Sequence, residues 1–363
     1  MKLKKFAAVA LATVMGVSAL TGCGLNKNDT IATLGEVEVK AGTVNFATKL
    51  LQYFSDDFYT MYYNEDYWTS DASNGEGTNF DTLKKTALES VHAYYTLQAH
   101  MDEYKVTLSS EDEKMIKDKA KEFVEANKEE VLKEMTADLE TVEEYFRLAL
   151  TYQRMYEEII KGADTEVSDE EANMRAYSMV AIDTTGYYNS SYQYIQYSEE
   201  ESKNQSEKAL YIATETKAGK KLEDVAKEKE VEVSNGTYAA DNTTLPEDVK
   251  KALDELEVGK CSEQIKVNGK IYIVRLDSEK DEEATENNRK SIIQQRETEF
   301  FQSKLEEMQK DDGWTVDEKV LGKIKFSCHF TAVNPNASKD SETESETQTE
   351  TESQTESQTE TQK

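Results

Sequence analysis

The spacing of apolar residues changes several times along this chain, and each change predicts a different element. Behind Lys2, Lys4 and Lys5 runs an apolar stretch over residues 6–20. It is shorter than the ~20 residues a membrane-spanning helix needs, and it has the shape of an export leader. Ile31, Leu34, Val37 and Val39 then alternate with polar residues around Gly35, which predicts a small strand pair. Phe46, Leu50 and Phe54 recur every four residues and predict a helix. Residues 55–79, rich in Tyr, Asp, Gly and Ser, read as an irregular insertion.

Helical periodicity resumes over residues 81–160. Leu83, Ala87, Val91 and Tyr94 form one stripe, Ile116, Ala120 and Phe123 a second, and Tyr145, Leu148, Tyr152, Met155 and Ile159 a third. Ser110 with Glu113 and Thr141 with Glu144 match the capping-box spacing, so they are the expected helix starts.

Beyond a third such pair, Ser168 with Glu171, the period changes again. A strand-like stretch at 176–182 leads into a Tyr- and Ser-rich loop, a helix over about 200–228, a turn, a helix at 246–256 and a strand at 270–276. That order predicts a separate α+β domain. A long last helix carries Ile293, Phe300, Phe301, Leu305 and Met308 and is expected to pack back on the first domain. The expected fold class is therefore α+β: a helical domain made from N- and C-terminal segments, with a small α/β domain inserted. Its parts are a leader (1–22), a tether (23–29), the helical region (30–166), the inserted domain (167–278), the returning helix (279–330) and an acidic Ser/Thr/Glu/Gln tail (331–363). The tail holds too little apolar surface to offset the entropy of ordering and is expected to be disordered.

Charge narrows the partners. A formal net charge of −30 disfavours nucleic acid and flat contact with anionic lipid headgroups. The leader ends in Leu20-Thr21-Gly22-Cys23, which resembles the bacterial lipoprotein box. That resemblance implies a lipid on the Cys23 sulfur, cleavage before it, and a protein anchored on the extracytoplasmic face of a Gram-positive-type cell membrane. Two acyl chains hold a protein where one would not. An ordinary export signal is the alternative.

Candidate chemistry is sparse. His92 and His100 stand eight apart on one expected helix, too far for the i, i+4 pairing of two ligands on one metal, and His329 beside Cys328 has no second pair nearby. No metal site and no cofactor is expected. Cys261 and Cys328 either join in one disulfide or stay as structural thiols, and the second reading is preferred. No G-x-S-x-G, phosphate loop or Cys-x-x-Cys occurs.

Four collinear segments, "VSDEEANMRAYSMVAI", "GKKLEDVAKE", "LPEDVKKALDELEVGKCSEQI" and "NGKIYIVRLD", resemble the parvulin-type prolyl isomerase domain of PrsA/SurA-type extracytoplasmic foldases. The resemblance implies a four-stranded sheet with an open groove between Ser178 and Tyr272. These residues stand where the family carries its two histidines, so the isomerase site is degenerate. Leu245, Asp248 or Val249, and Leu253 would supply the apolar proline seat, with Gly236 and Tyr238 replacing the glycine-rich turn. The implied function is a membrane-anchored chaperone whose partners are folding secreted proteins, needing no small-molecule cofactor. The alternatives are a working isomerase and a ligand-binding or adhesive surface lipoprotein. Tyr187, Tyr188, Tyr192, Tyr194 and Tyr197 sit in polar surroundings and suit contact with clients, with Tyr192, Tyr194 and Tyr197 the expected contacts.

Overall fold

A computed structural model describes residues 11–15, 24–241 and 244–332. Cys23, most of the leader and the tail from 333 onward lie outside the described residues.

In chain order the strands and helices are β1 (Leu11–Met15), β2 (Thr30–Leu34), β3 (Val37–Lys40), α1 (Ala41–Tyr62), α2 (Asn79–Ala99), α3 (Ser110–Ala126), α4 (Glu129–Glu134) and α5 (Leu139–Ile159). There follow α6 (Asp169–Ala172), β4 (Arg175–Asp183), β5 (Gly186–Tyr188), β6 (Tyr194–Gln196), α7 (Glu199–Lys217), α8 (Leu222–Glu228), β7 (Ser234–Tyr238) and α9 (Glu247–Glu255). The chain ends in β8 (Ile265–Val267), β9 (Lys270–Ser278), α10 (Glu282–Gln309), β10 (Trp314–Val316), α11 (Glu318–Leu321) and β11 (His329–Ala332). This is an α+β fold in two compact units. The first comprises Met1–Gly162 and Phe300–Lys363, the second Ala163–Glu299.

The first unit buries an aromatic core in which Phe46 meets Phe123 and Tyr145 edge-on, with ring centroids 5.4 and 5.1 Å apart. Two of its helices start earlier than their spacing predicts. Ser109, not Ser110, caps α3, because the Asp112 carboxylate reaches back to the Ser109 amide while Glu113 pairs with Arg147 on α5. Asp138, not Thr141, caps α5 by accepting from the Thr141 amide, and Glu144 is likewise drawn to Arg147. Phe301 and Leu305 of α10 are buried with Leu97, Met155 and Ile159.

Residues 55–79 are not simply irregular. Helix α1 runs on to Tyr62, a short 3-10 turn covers Tyr67–Thr69, and Asp71 bridges to Thr78 ahead of α2. The reason is a buried carboxylate. Asp56, 1 % exposed, accepts from the Trp68 indole (2.8 Å) and the Phe330 amide (2.7 Å), and lies 2.6 Å from His329 Nδ1. On the same face of α1, Gln52 donates to the Cys328 carbonyl (2.7 Å), and Lys49 donates to the Lys325 carbonyl and the Ser327 hydroxyl (2.9 Å each) while pairing with Glu134. Positions 49, 52 and 56 share a face by the 3.6-residue period, so one helix face supplies the hydrogen-bond partners of the chain from 325 to 330.

In the second unit a four-stranded antiparallel sheet has the order β7-β4-β9-β8. The single helix expected over 200–228 is two, α7 and α8. The chain turns between them at Gly219, whose φ of +99° is costly for any side-chain-bearing residue. The tyrosine-rich loop is a hairpin: β5 and β6 form their own two-stranded sheet, with Tyr192 at φ +57° in its turn.

Asp56→Ala removes the acceptor of two buried donors and the anion facing His329, and should destabilise the first unit by roughly 3 kcal/mol. Denaturant titration followed by tryptophan fluorescence measures it; a loss under about 0.5 kcal/mol, the scale of an ordinary surface substitution, would show that the carboxylate is not the clasp described.

Candidate functional site

Successive residues of a strand point to opposite faces, so register decides which side chains can meet. In the β4/β9 pairing, Tyr177 lies opposite Leu276, Met179 opposite Val274 and Ala181 opposite Tyr272. The intervening pairs are Ser178 with Arg275, Val180 with Ile273 and Ile182 with Ile271. The first set packs with α9 and the second with α7 and α8.

The α9 face gathers Tyr238, Leu245, Val249, Leu253 and Tyr272 in one apolar cluster. Ser178 is not among them. It does sit on a strand next to that of Tyr272, but with opposite parity, so its side chain leaves the sheet on the other side. The β4 residue that belongs to this face is Tyr177, which the sequence reading passed over. Val180 and Ile182 face the larger apolar core, and counting by twos from them reaches Ser178 and leaves Tyr177 outside. Gly236 is the second signal: a Cβ there would stand 2.7 Å from the Tyr177 phenol oxygen, so the glycine lets the ring lie across β7.

Val249, Leu253 and Tyr238 are fully buried, which means the expected proline seat is filled by the protein's own packing. What remains half-exposed is a rim that includes Tyr177, Leu245 and Tyr272. The chain has three histidines, none of them in residues 163–299. His92 contacts Asp312 at 2.7 Å and stacks on Trp314, and His329 meets Asp56, so these two tie separate segments of the first unit together, whereas His100 lies 3.0 Å from Glu103, three residues on. Among the described residues no cluster of His, Cys, Asp and Glu is arranged to hold a metal ion.

Beside the rim lies a polar cleft of about 570 Å³. Asp254 is its hub. It accepts from Arg175 (3.0 Å), the Tyr238 phenol (3.0 Å) and Lys250 (2.8 Å), while the Arg175 guanidinium lies 5.7 Å from the Tyr238 ring centre. Burial, with the Asp254 carboxylate next to it, pushes the Tyr238 phenol well above its usual range, so it stays a donor. Burial works against the Asp254 charge, yet hydrogen bonds from Lys250 and Tyr238 hold this carboxyl below its usual range.

On the opposite face Ser178 joins a closed network. Its hydroxyl lies 2.5 Å from Asp277 and 2.9 Å from the Asn235 side chain, and it accepts from Arg275 at 3.0 Å. Arg275 in turn grips Glu223 through two bonds, of 2.7 and 3.0 Å. Ser178 is 2 % exposed, so this is a structural knot without access for a substrate. Cys261 and Cys328 are free thiols, each pushed up by burial and hence poor nucleophiles.

The tyrosine hairpin is the most exposed aromatic feature of this unit. Tyr188 is 71 % and Tyr192 90 % exposed. Two cross-strand ring contacts, Tyr187 with Tyr197 and Tyr188 with Tyr194, at 5.7 and 5.2 Å, set their positions.

Residues 186–289 match the family model described as the PPIC-type PPIASE domain. The second unit is therefore of the parvulin type, and the matched segment starts after β4, the strand that carries Tyr177 and Ser178. No curated protein matches the chain. Among solved structures, the chain is similar to the foldase protein PrsA of Streptococcus pneumoniae, with 18% identity over 70% of this chain and 98% of that one and a TM-score of 0.28. PrsA of Bacillus anthracis follows at 19% identity, 63% and 99% coverage and a TM-score of 0.29. A SurA-like chaperone structure from Campylobacter jejuni gives 11%, 80% and 100%, with a TM-score of 0.30.

Acid should loosen the second unit. The Glu223 carboxyl, hydrogen-bonded by Arg275, is held below its ordinary value of 4.5, so its contribution is present above that pH and lost as pH falls through the lower folded-state value. The thermal midpoint should be flat near neutrality and drop below about pH 4.5. In Glu223→Gln the acid limb should be shallower, with a loss at pH 7 of no more than about 1 kcal/mol because the pair is half-exposed. An identical acid limb in the variant would rule out this ion pair as a source.

Proposed function

We propose that this chain is a lipid-anchored extracytoplasmic foldase that holds unfolded secreted chains through a parvulin-type unit that no longer isomerises proline. One observation carries the reading: the α9 face keeps its apolar cluster, yet no imidazole stands near it and Val249 and Leu253 are packed shut. Prolyl isomerisation crosses a barrier of ~18–20 kcal/mol by twisting an amide, and it needs an open seat for the ring. A unit without that seat retains surfaces for binding. The tyrosines of the β5/β6 hairpin are the contact we assign to clients, since tyrosine covers area at low entropic cost. Cys23 is the assigned anchor, and it follows that Cys23→Ser should move the protein from the membrane to the soluble fraction; retention on the membrane would overturn the anchor.

An active isomerase is the second reading, favoured by the PPIC-type match itself. Two assays separate the two. At stoichiometric amounts the chain should at least halve the light scattering of a denatured reporter protein on dilution, and replacing Tyr188, Tyr192 and Tyr194 by serine should remove about half of that protection. In a proline-peptide assay it should leave the tens-of-seconds cis-to-trans relaxation unchanged. Clear acceleration of the peptide supports the isomerase; failure to protect the reporter overturns the chaperone.

A further inference from the structure

A second aromatic surface lies in the first unit, at the C-terminal end of α1. Phe58, Met61, Tyr62 and Tyr63 are 54 %, 72 %, 65 % and 64 % exposed, an unusual concentration of large apolar side chains on one helix end. The surface is ordered from beneath. Tyr59 stacks on Tyr67 with centroids 4.1 Å apart and planes 5° from parallel, Tyr63 touches Tyr67, and Tyr67 leans on Trp68, which Asp56 pins. Such rings are rigid anchors that lose little entropy on binding.

The segment's own charges have one sign, and the one imidazole that reaches it, His329, is held by the Asp56 carboxylate and the Glu65 carbonyl. Residues 50–83 contain no lysine, arginine or histidine, whereas Asp57, Glu65 and Asp66, which flank the exposed ring-bearing residues in the sequence, are themselves exposed. Ring faces attract cations, and carboxylates at the edge do the same, so both features favour one chemistry. Anionic headgroups would be repelled by the same carboxylates.

We infer that this surface binds unfolded polypeptide segments in which lysine or arginine is interspersed with apolar side chains. The inference rests on the foldase reading and names the kind of client it takes. Apolar side chains of the segment cover Phe58, Met61 and Tyr62; its cations lie over the tyrosine rings and pair with Asp57, Glu65 and Asp66. Selectivity for basic segments would then arise at a site, over and above the field of the whole acidic molecule.

The test uses the full chain and three fluorescent unfolded peptides of equal length: alternating Lys and Leu, Glu in place of Lys, and Ser in place of Leu. Fluorescence anisotropy should give at least tenfold tighter binding of the Lys/Leu peptide than of either other, weakening as salt is raised. Phe58→Ser/Tyr62→Ser/Tyr63→Ser should lose that binding at least tenfold, with the thermal midpoint reporting that the unit is still folded. Asp57→Asn/Glu65→Gln/Asp66→Asn should keep apolar binding but lose most of the Lys-over-Glu preference. A preference that survives in this second variant comes from the overall charge and overturns the inference, as does unchanged binding in the first. Association with phosphatidylcholine vesicles, lost in the first variant and unaccompanied by peptide selectivity, would assign the patch to a membrane surface instead. If the chain protects the denatured reporter but shows no peptide selectivity, only this inference fails; if it does neither, the foldase reading fails with it.

Discussion

A row of buried polar side chains on α1 closes the first unit. Lys49, Gln52 and Asp56 point from one helix face at the chain between 325 and 330, where Gln52 and Asp56 satisfy the Cys328 carbonyl and the Phe330 amide of buried residues and Lys49 donates to the Lys325 carbonyl. Leaving such groups unmade costs more than making them gains, so the geometry is held by the penalty for losing it. The consequence is topological. Residues on both sides of the second unit in the sequence complete one core, with Val320, Leu321, Ile324 and Phe330 buried alongside Phe46 and Leu50. The same carboxylate anchors Trp68, and through it the aromatic end of α1.

The second unit obeys a different constraint, the two-residue period of its strands. One step in register separates the apolar α9 face from the side that holds the Ser178, Arg275 and Asp277 network. Both faces are packed, but to different ends. The Ser178 side is closed by charge-assisted hydrogen bonds and offers nothing to a substrate. The α9 side leaves a half-exposed rim of Tyr177, Leu245 and Tyr272 beside a cleft organised by Asp254.

Exposed aromatic residues recur in both units: the β5/β6 hairpin in one, the end of α1 in the other. Each contains ring contacts that brace part of it, Tyr188 with Tyr194 in the hairpin and Tyr59 with Tyr67 under the end of α1. The excess of acidic residues limits self-association of such surfaces by keeping copies of the molecule apart. A holding protein needs both properties at once, apolar surface for clients and charge enough to stay dispersed.

Periodicity alone made much of this molecule legible. The helical stripes through Val91, Phe123 and Leu148 and the strands around Val180 and Ile273 follow from which positions repeat, because burial of a face is a local demand; the β5/β6 hairpin and the break between α7 and α8 do not. Helix ends were readable only to within a turn: Glu113 and Glu144 look like capping partners until Arg147, 34 positions from the first and one turn along the same helix from the second, claims both. Tyr238, Leu245, Val249, Leu253 and Tyr272, which the resemblance alone names, share one apolar cluster, whereas Ser178 leaves the sheet on the other face and Tyr177 takes its place, since a one-residue choice of register inverts a strand. Residues 55–79 read as an irregular insertion because nothing local reveals that Asp56 is buried; its partners, Trp68, His329 and Phe330, are brought to it by the fold. Sequence determined the main helical stripes and the alternating strands of the four-stranded sheet, because those depend on neighbours along the chain. Tertiary structure decided which side chains share a face and which charges are satisfied, because those depend on residues hundreds of positions apart.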